Sequence, residues 1–136
     1  MGSRASVAIV DRGRILMVRQ TYRGNQIWTF PGGAIEPEEL PTQAAVREVK
    51  EEVGLDVEIT DLIVQVPMES TDGEYYCFAG RVVEGEAALG YDPEIAGDAQ
   101  ELCWFPLSDV KDHPEVARVL PALEEQVLNR RHPDAQ

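Results

Sequence analysis

Three observations predict a mixed α/β domain. Short runs rich in Val and Ile alternate with turns bearing Gly, Pro or Asp; segment 41–53 sorts apolar and acidic residues onto different helical faces; and a second helical pattern lies near the C-terminal end. At 136 residues and 43% hydrophobic content the chain has the size of one ordinary domain and can bury a core. Residues 1–136 are therefore read as a single domain. Met-Gly-Ser-Arg at 1–4 has the form of a cloning remnant and is given no function, and 132–136 is expected to be a disordered tail.

The elements follow in order. "ASVAIV" (5–10) and "RILMVRQ" (14–20) read as a hairpin, because Asp11 and Gly13 between them suit a tight turn. "QIWTFPGG" (26–33) reads as one strand running into a Pro-Gly-Gly stop, followed by the loop "AIEPEEL". Pro41 suits the first position of a helix and Gly54 its left-handed close, which places a helix over 41–53. Leu40 stands where Ser, Thr, Asp or Asn would cap it, so either a nearby acid caps or the cap is weak. Segments 55–68 and 74–83 read as strands joined by the turn "STDG", 84–100 as a polar surface loop, and "ELCWFPL" (101–107) as a last strand. Pro114 is expected to open a short helical turn, and Pro121 to interrupt the pattern before a terminal helix resumes at 122–131.

Composition excludes several classes. No stretch approaches the roughly 18 consecutive apolar residues of a membrane span, and no basic-then-apolar leader opens the chain, so a soluble cytoplasmic protein is expected. Cys77 and Cys103 lie far apart among apolar neighbours and read as buried free thiols. His113 and His132 sit beside prolines and are expected to be exposed, with no metal-ligand pattern. A net charge of −13 argues against nucleic acid as a partner but not against a small phosphorylated ligand. The charge is unevenly spread: residues 1–35 hold five arginines (4, 12, 14, 19, 23) and one acid, while the rest holds 7 basic and 24 acidic side chains. That basic segment either solvates a hairpin or helps to hold an anion.

The helix at 41–53 carries the chemistry. With Arg47 at zero, Glu51 falls at about 40°, Glu48 at about 100° and Glu52 at about 140°, while Ala45, Val46, Val49 and Val53 fill an adjoining apolar arc. Ala44, at about 60°, is expected to leave open space among the carboxylates. A solvated helix face usually alternates Glu with Lys at i,i+4, and Arg47 is the one basic residue in this arc. Three carboxylates offer hard oxygen ligands suited to Mg²⁺ or Mn²⁺; plain solvation of an acidic surface is the alternative.

The flanks add to that pattern. From Gly33, five residues lead to Glu39, seven more lead to Arg47-Glu48, and the run closes Val49-Lys50-Glu51-Glu52-Val53-Gly54-Leu55. These 23 residues resemble the Nudix box at every defined position, and the "WTFPGG" before it and "WFPL" after a variable loop extend the likeness over roughly residues 5 to 130. The resemblance implies the Nudix α/β/α sandwich, a mixed sheet between helices with the box as a loop-helix-loop. It also implies Mg²⁺-dependent hydrolysis of a nucleoside diphosphate linked to another group, X.

Carried over residue by residue, the resemblance makes Glu51 and Glu52 the core metal ligands and Glu48 a further ligand or the general base. Arg47 would orient them, the Gly32 carbonyl would complete the metal shell, and Glu39 would hold the loop or reach a second metal. Mn²⁺ is a possible substitute. In several relatives the base comes from a later loop, which here offers Glu94, Asp98 and Glu101, with Asp98 preferred. Relatives often carry Gly where this chain has Glu38. For the substrate, Arg19 and Arg23 are candidates for distal phosphates, and Trp28, Phe30 and Tyr76 for stacking on a base, although strand aromatics are more often core. A nucleoside triphosphate or related nucleotide is the expected substrate; ADP-ribose, nucleotide sugars and dinucleoside polyphosphates are the alternatives, and a non-catalytic nucleotide sensor is the alternative class. Monomer and homodimer both remain open.

Overall fold

The computed structural model of the chain describes residues 2–69, 71–89 and 99–131. Its first hairpin joins β1 (Arg4–Asp11) to β2 (Arg14–Tyr22). Asp11 pairs with Arg14, and the two-residue loop has positive φ at both Arg12 (54°) and Gly13 (76°). That mirror-image turn matches the twist of the flanking strands. The same solution recurs between β2 and β3 (Asn25–Thr29), where Arg23 and Gly24 have φ of 51° and 81°.

The hairpin then splits. β1 and β2 pair only at Val10 with Ile15 and Asp11 with Arg14. Beyond that point β1 runs between β4 (Gly32–Ala34), antiparallel, and β6 (Glu74–Glu84), parallel, and β5 (Asp56–Pro67) lines the far side of β6. β2 instead runs between β3 and β7 (Ala99–Pro106), antiparallel to both. The sheet is thus a fork with two branches that diverge from the hairpin turn. The single strand expected over 26–33 is two strands, β3 on one branch and β4 on the other. Phe30-Pro31 carries the chain across, and the Pro31 carbonyl accepts the Val7 N–H at 3.0 Å.

Helices cover both faces. α1 (Pro41–Val53) packs Ala44, Ala45, Val49 and Val53 against Ala5, Val7 and Ile9 of β1 and Leu16 and Val18 of β2. The alternate residues Ala8, Ile15 and Met17 point the other way, onto Val116, Val119 and Leu123 of α3 (Pro114–Arg131). The period-2 pattern of the strands therefore buries both faces of the sheet. A four-residue helix, α2 (Leu107–Val110), links β7 to α3. No helix among the described residues is long and apolar enough to cross a membrane.

Four expectations are corrected. α3 runs through Pro121 without a break: the proline is exposed, while Val116, Val119 and Leu123 hold both halves to one sheet face. Packing along one stripe outweighs the single lost backbone bond. His113 is half-buried, and its Nδ1 accepts the Glu115 N–H at 3.2 Å, so it caps the start of α3. Ala44 is fully buried, because the acidic arc of α1 is pressed against the strand and loop that precede it. Arg4 is not a loose end but the first residue of β1, paired with Ala34 and Tyr75. Cys77 is buried and Cys103 half-buried, and both are free thiols. His132 lies outside the described residues.

No acid caps α1. Leu40 is 61% exposed with β-region angles, and Gln43 reaches back so that its Oε1 accepts the Leu40 N–H at 2.9 Å. Half of a capping box is present, and the half that a Ser or Asp would supply is missing. Leu40→Ser is therefore expected to stabilise the protein by about 1 kcal/mol, raising the thermal midpoint by roughly 3–4 °C in a melt followed by circular dichroism.

Candidate active site

The last turn of α1 places Glu52 at the mouth of the fork. Its Oε1 accepts the N–H of Gly32, on the β1 branch, at 3.1 Å, and Gln20 Nε2, on the β2 branch, donates to its Oε2 at 3.4 Å. One carboxylate thus touches both branches. Burial pushes its pKa up to about 7, opposed by the Gly32 hydrogen bond, reinforced by the neighbouring charge of Glu48, and again opposed by the more distant charge of Arg4. Gln20 escaped the sequence reading, because nothing local distinguishes it from any other polar residue of a strand end.

Beside Glu52, Arg47 organises the rest. Its Nε and Nη2 grip both oxygens of Glu39 at 2.7 and 2.9 Å, Nη1 donates to Glu48 at 2.8 Å and to Glu51 at 3.2 Å, and Nη2 also donates to the Ala34 carbonyl at 3.0 Å. The planar fork of a guanidinium suits this bidentate geometry. Arg47 holds the Glu39 carboxyl down at about 2, helped by the Glu36 N–H at 3.0 Å. Both Glu39 oxygens are therefore occupied, and the residue ties the 34–39 loop to the helix. Glu38 just before it has φ 70°, which explains why glycine suits this position in relatives; the chain accepts the strain of a side chain there.

Gly33 is required by a close approach. A Cβ built on it would lie 2.3 Å from Glu48 Oε2, so the Glu48 carboxylate rests over the bare backbone of β4. Gly33→Ala is expected to displace that carboxylate, which sits at the end of a flexible side chain. Activity should fall by about tenfold or more, while the thermal midpoint moves by only a few degrees. Steady-state rates measured alongside a thermal melt check the split. At the other end of the helix, Gly54 (φ 75°) forms the left-handed cap, its N–H on the Lys50 carbonyl at 3.0 Å.

Among the described residues no three His, Cys, Asp or Glu side chains form a ready-made metal cage. Glu48 and Glu51 lean on Arg47, and Glu52 turns into the fork. The donor set nevertheless fits a hard divalent cation: three carboxylates on two turns of one helix face, one of them half-buried and, among the described residues, without a cationic hydrogen-bond partner. Glu48, Glu51 and Glu52 are the residues able to hold it.

The remaining candidates are scattered. Arg19 Nε pairs with Glu101 at 3.0 Å and its Nη1 donates to Gln26, so neither Arg19 nor Glu101 stands alone. Arg23 lies at the tip of the β2–β3 turn. Phe30 is 3% exposed, and Trp28 meets Phe105 edge-on at 5.0 Å; both pack in the cluster beneath α3 and serve there as core. Tyr76 stacks in parallel on Phe78 at 6.4 Å and donates to Glu74 at 3.0 Å, on the α1 face. Glu94 and Asp98 lie outside the described residues.

A crevice on the α3 face was not anticipated. Phe30, Tyr75, Glu115 and Arg118 line it, the Tyr75 and Ser6 hydroxyls lie 2.5 Å apart, and burial pushes the Glu115 carboxyl up against the opposing hydrogen bond of Thr29. These residues are up to 112 positions apart in sequence (Ser6 to Arg118), so only the fold brings them together.

Comparison with known proteins agrees with this architecture. The family model of the NUDIX domain matches residues 2–124. A CTP pyrophosphohydrolase of Escherichia coli (strain K12) is 28% identical over 120 residues, covering 86% of this chain and 85% of that protein. An RNA pyrophosphohydrolase of Pseudomonas putida (strain GB-1) is 33% identical over 133 residues, covering 80% and 82%. Among solved structures, an ADP-ribose pyrophosphatase from Streptococcus suis superposes with a TM-score of 0.68 at 22% identity (89% and 90% covered), and a NUDIX hydrolase from Nitrosomonas europaea with 0.69 at 21% (94% and 89% covered). The forked mixed sheet between helices is the Nudix α/β/α sandwich, and the chain belongs to the NUDIX domain family of hydrolases.

Proposed function

We propose that the chain hydrolyses the pyrophosphate linkage of a nucleoside triphosphate, releasing the nucleoside monophosphate and pyrophosphate. The observation that carries this reading is the half-buried Glu52, held between the two branches beside Glu48 and Glu51. A divalent ion bound by these three carboxylates, Mg²⁺ or Mn²⁺, would neutralise pyrophosphate charge and acidify a water. The chain does the rest. Arg47 fixes the carboxylates of Glu48 and Glu51 through its fork, and Glu39 anchors Arg47 in turn. Glu48 accepts the proton of the attacking water, with Asp98 the alternative base; the Gly32 carbonyl is a further oxygen donor.

The relatives named for CTP and for RNA favour a substrate with a terminal pyrophosphate, and the overall charge of −13 favours the free nucleotide over a nucleic-acid end. The test is a panel incubated with Mg²⁺: the nucleoside triphosphates, a 5′-triphosphorylated RNA oligonucleotide, ADP-ribose, a nucleotide sugar and a dinucleoside polyphosphate, with products identified by chromatography. Release of monophosphate and pyrophosphate from a triphosphate supports the proposal. Exclusive cleavage of another member changes X, and binding without turnover on any member points to a nucleotide sensor.

A further inference from the structure

Gln20 has no role in the hydrolysis proposed for the site, yet the fold builds a place for it. Along β2, Leu16 and Val18 are fully buried in the cluster beneath α1. Gln20 follows at the same two-residue interval and so projects to the same face, toward the last turn of the helix. Its backbone is held from both sides, opposite Ile27 of β3 and Ala99 of β7. The β2–β7 register slips between Arg19, opposite Glu101, and Gln20, an irregularity of the kind that re-aims a side chain. The half-buried amide then meets Glu52 Oε2 at 3.4 Å, a long hydrogen bond. A carboxylate only accepts, so the amide presents its NH2 group.

The three carboxylates of the site differ in what holds them. Glu48 and Glu51 accept from the Arg47 guanidinium, a cation. Glu52 accepts, among the described residues, from two neutral donors, the Gly32 N–H on one oxygen and Gln20 on the other. Donors on separate strands, one per oxygen, fix the rotation of the carboxylate plane as well as its position, which a single donor does not. Neither donor cancels its charge, so the charge stays available to a cation.

We propose that Gln20 is a positioning residue for the metal ligand Glu52, orienting its carboxylate from the β2 branch without neutralising it. The inference rests on the carboxylate site of the proposed function and is independent of which nucleotide is cleaved. Groups that orient metal ligands typically carry about tenfold to a hundredfold in affinity or activity, and a long bond from a neutral amide belongs at the lower end.

Two variants test it. Gln20→Met keeps the length and bulk of the side chain without the donor, and Gln20→Asn keeps the amide but falls one methylene short. Mn²⁺ binding without nucleotide, followed by electron paramagnetic resonance of the free ion, is measured beside steady-state kinetics and thermal melts in chelator. Both variants are expected to raise the Mn²⁺ Kd by about tenfold. KM for the nucleotide at saturating metal should stay within about twofold of the wild type, and the midpoint in chelator within about 2 °C. An unchanged Kd in both variants overturns the proposal. A raised KM with unchanged Kd overturns it by making Gln20 a substrate contact, and a lowered midpoint with unchanged Kd by making it structural. A raised Kd in Gln20→Asn alone overturns it by tracing the effect to side-chain bulk. A wild type that binds Mn²⁺ but cleaves no nucleotide overturns the hydrolase reading alone, because the effect of Gln20 on Kd is still measured; a wild type that binds no Mn²⁺ overturns both.

Discussion

Replacing Glu52 by Gln is expected to abolish Mg²⁺-dependent turnover while making the metal-free protein more stable above about pH 7. The two effects have one cause. Glu52 is a carboxyl taken out of water between two sheet branches, with a backbone N–H and an amide for partners rather than a cation. Its folded pKa, about 7, lies above the ordinary value of 4.5. Below about pH 4.5 the group is protonated in folded and unfolded chains alike, and the substitution changes little. Between about 4.5 and 7 the unfolded chain ionises first, so the wild type loses stability as pH rises. Above about 7 the whole penalty is present, on the order of 2–3 kcal/mol, and the neutral amide avoids it. Thermal midpoints at pH 5 and pH 8 in the presence of chelator measure the difference, which should be roughly 5–10 °C at the higher pH.

A divalent ion reverses the balance for the wild type. An ion that binds only the folded chain stabilises it by mass action, and an ionised Glu52 is what it binds. Added Mg²⁺ should therefore raise the wild-type midpoint at pH 8 and leave Glu52→Gln nearly unmoved. Residues that merely support metal ligands cost tenfold to a hundredfold in activity when lost, so a lost ligand should cost at least about a hundredfold. Near-normal turnover in Glu52→Gln, or an equal Mg²⁺ shift in both proteins, would remove Glu52 from the metal site.

What was legible in the sequence, and what was not, divides along the range of the interactions. α1 runs from Pro41 to Val53, as its punctuation indicates, because a proline at the first turn and a glycine just past the last are local signals. The helical angles also separate Glu48, Glu51 and Glu52 from the apolar arc. A wheel of angles does not say which arcs are covered, however, and Ala44 is buried where periodicity alone left it open. The fork was invisible. It exists because β1 leaves β2 after two residue pairs for partners 26 to 71 positions away, and Phe30-Pro31 crosses between branches where pattern alone suggests one strand. The environment of Glu52 depends on that fork, as does its partnership with Gln20. Local propensity likewise failed at Pro121, where the buried stripe of Val116, Val119 and Leu123 carries the helix through.

Arg47→Lys is expected to cost both stability and activity, although the charge is kept. A lysine ammonium cannot reproduce two parallel hydrogen bonds to Glu39 while reaching Glu48, Glu51 and the Ala34 carbonyl. Loss of charge-assisted bonds from this half-buried guanidinium should destabilise the protein by roughly 2 kcal/mol, and the thermal midpoint at pH 7 should fall by about 5 °C. The pH dependence identifies the partner responsible. Glu39 is held at about 2, below its ordinary 4.5, so the stabilisation it draws from Arg47 is complete above about pH 4.5 and disappears as pH falls toward 2. The gap between wild type and Arg47→Lys should therefore be full at pH 7 and close progressively between about pH 4.5 and 2. Glu39→Gln should lower the wild-type midpoint and shrink the effect of Arg47→Lys in a double-mutant cycle, because the two substitutions remove one shared interaction. Strict additivity in the cycle would place the contribution of Arg47 with Glu48 and Glu51, and a gap that persists unchanged at pH 2.5 would place it with the Ala34 carbonyl, which does not titrate; in either case the loop would be held by something other than the Glu39 strut.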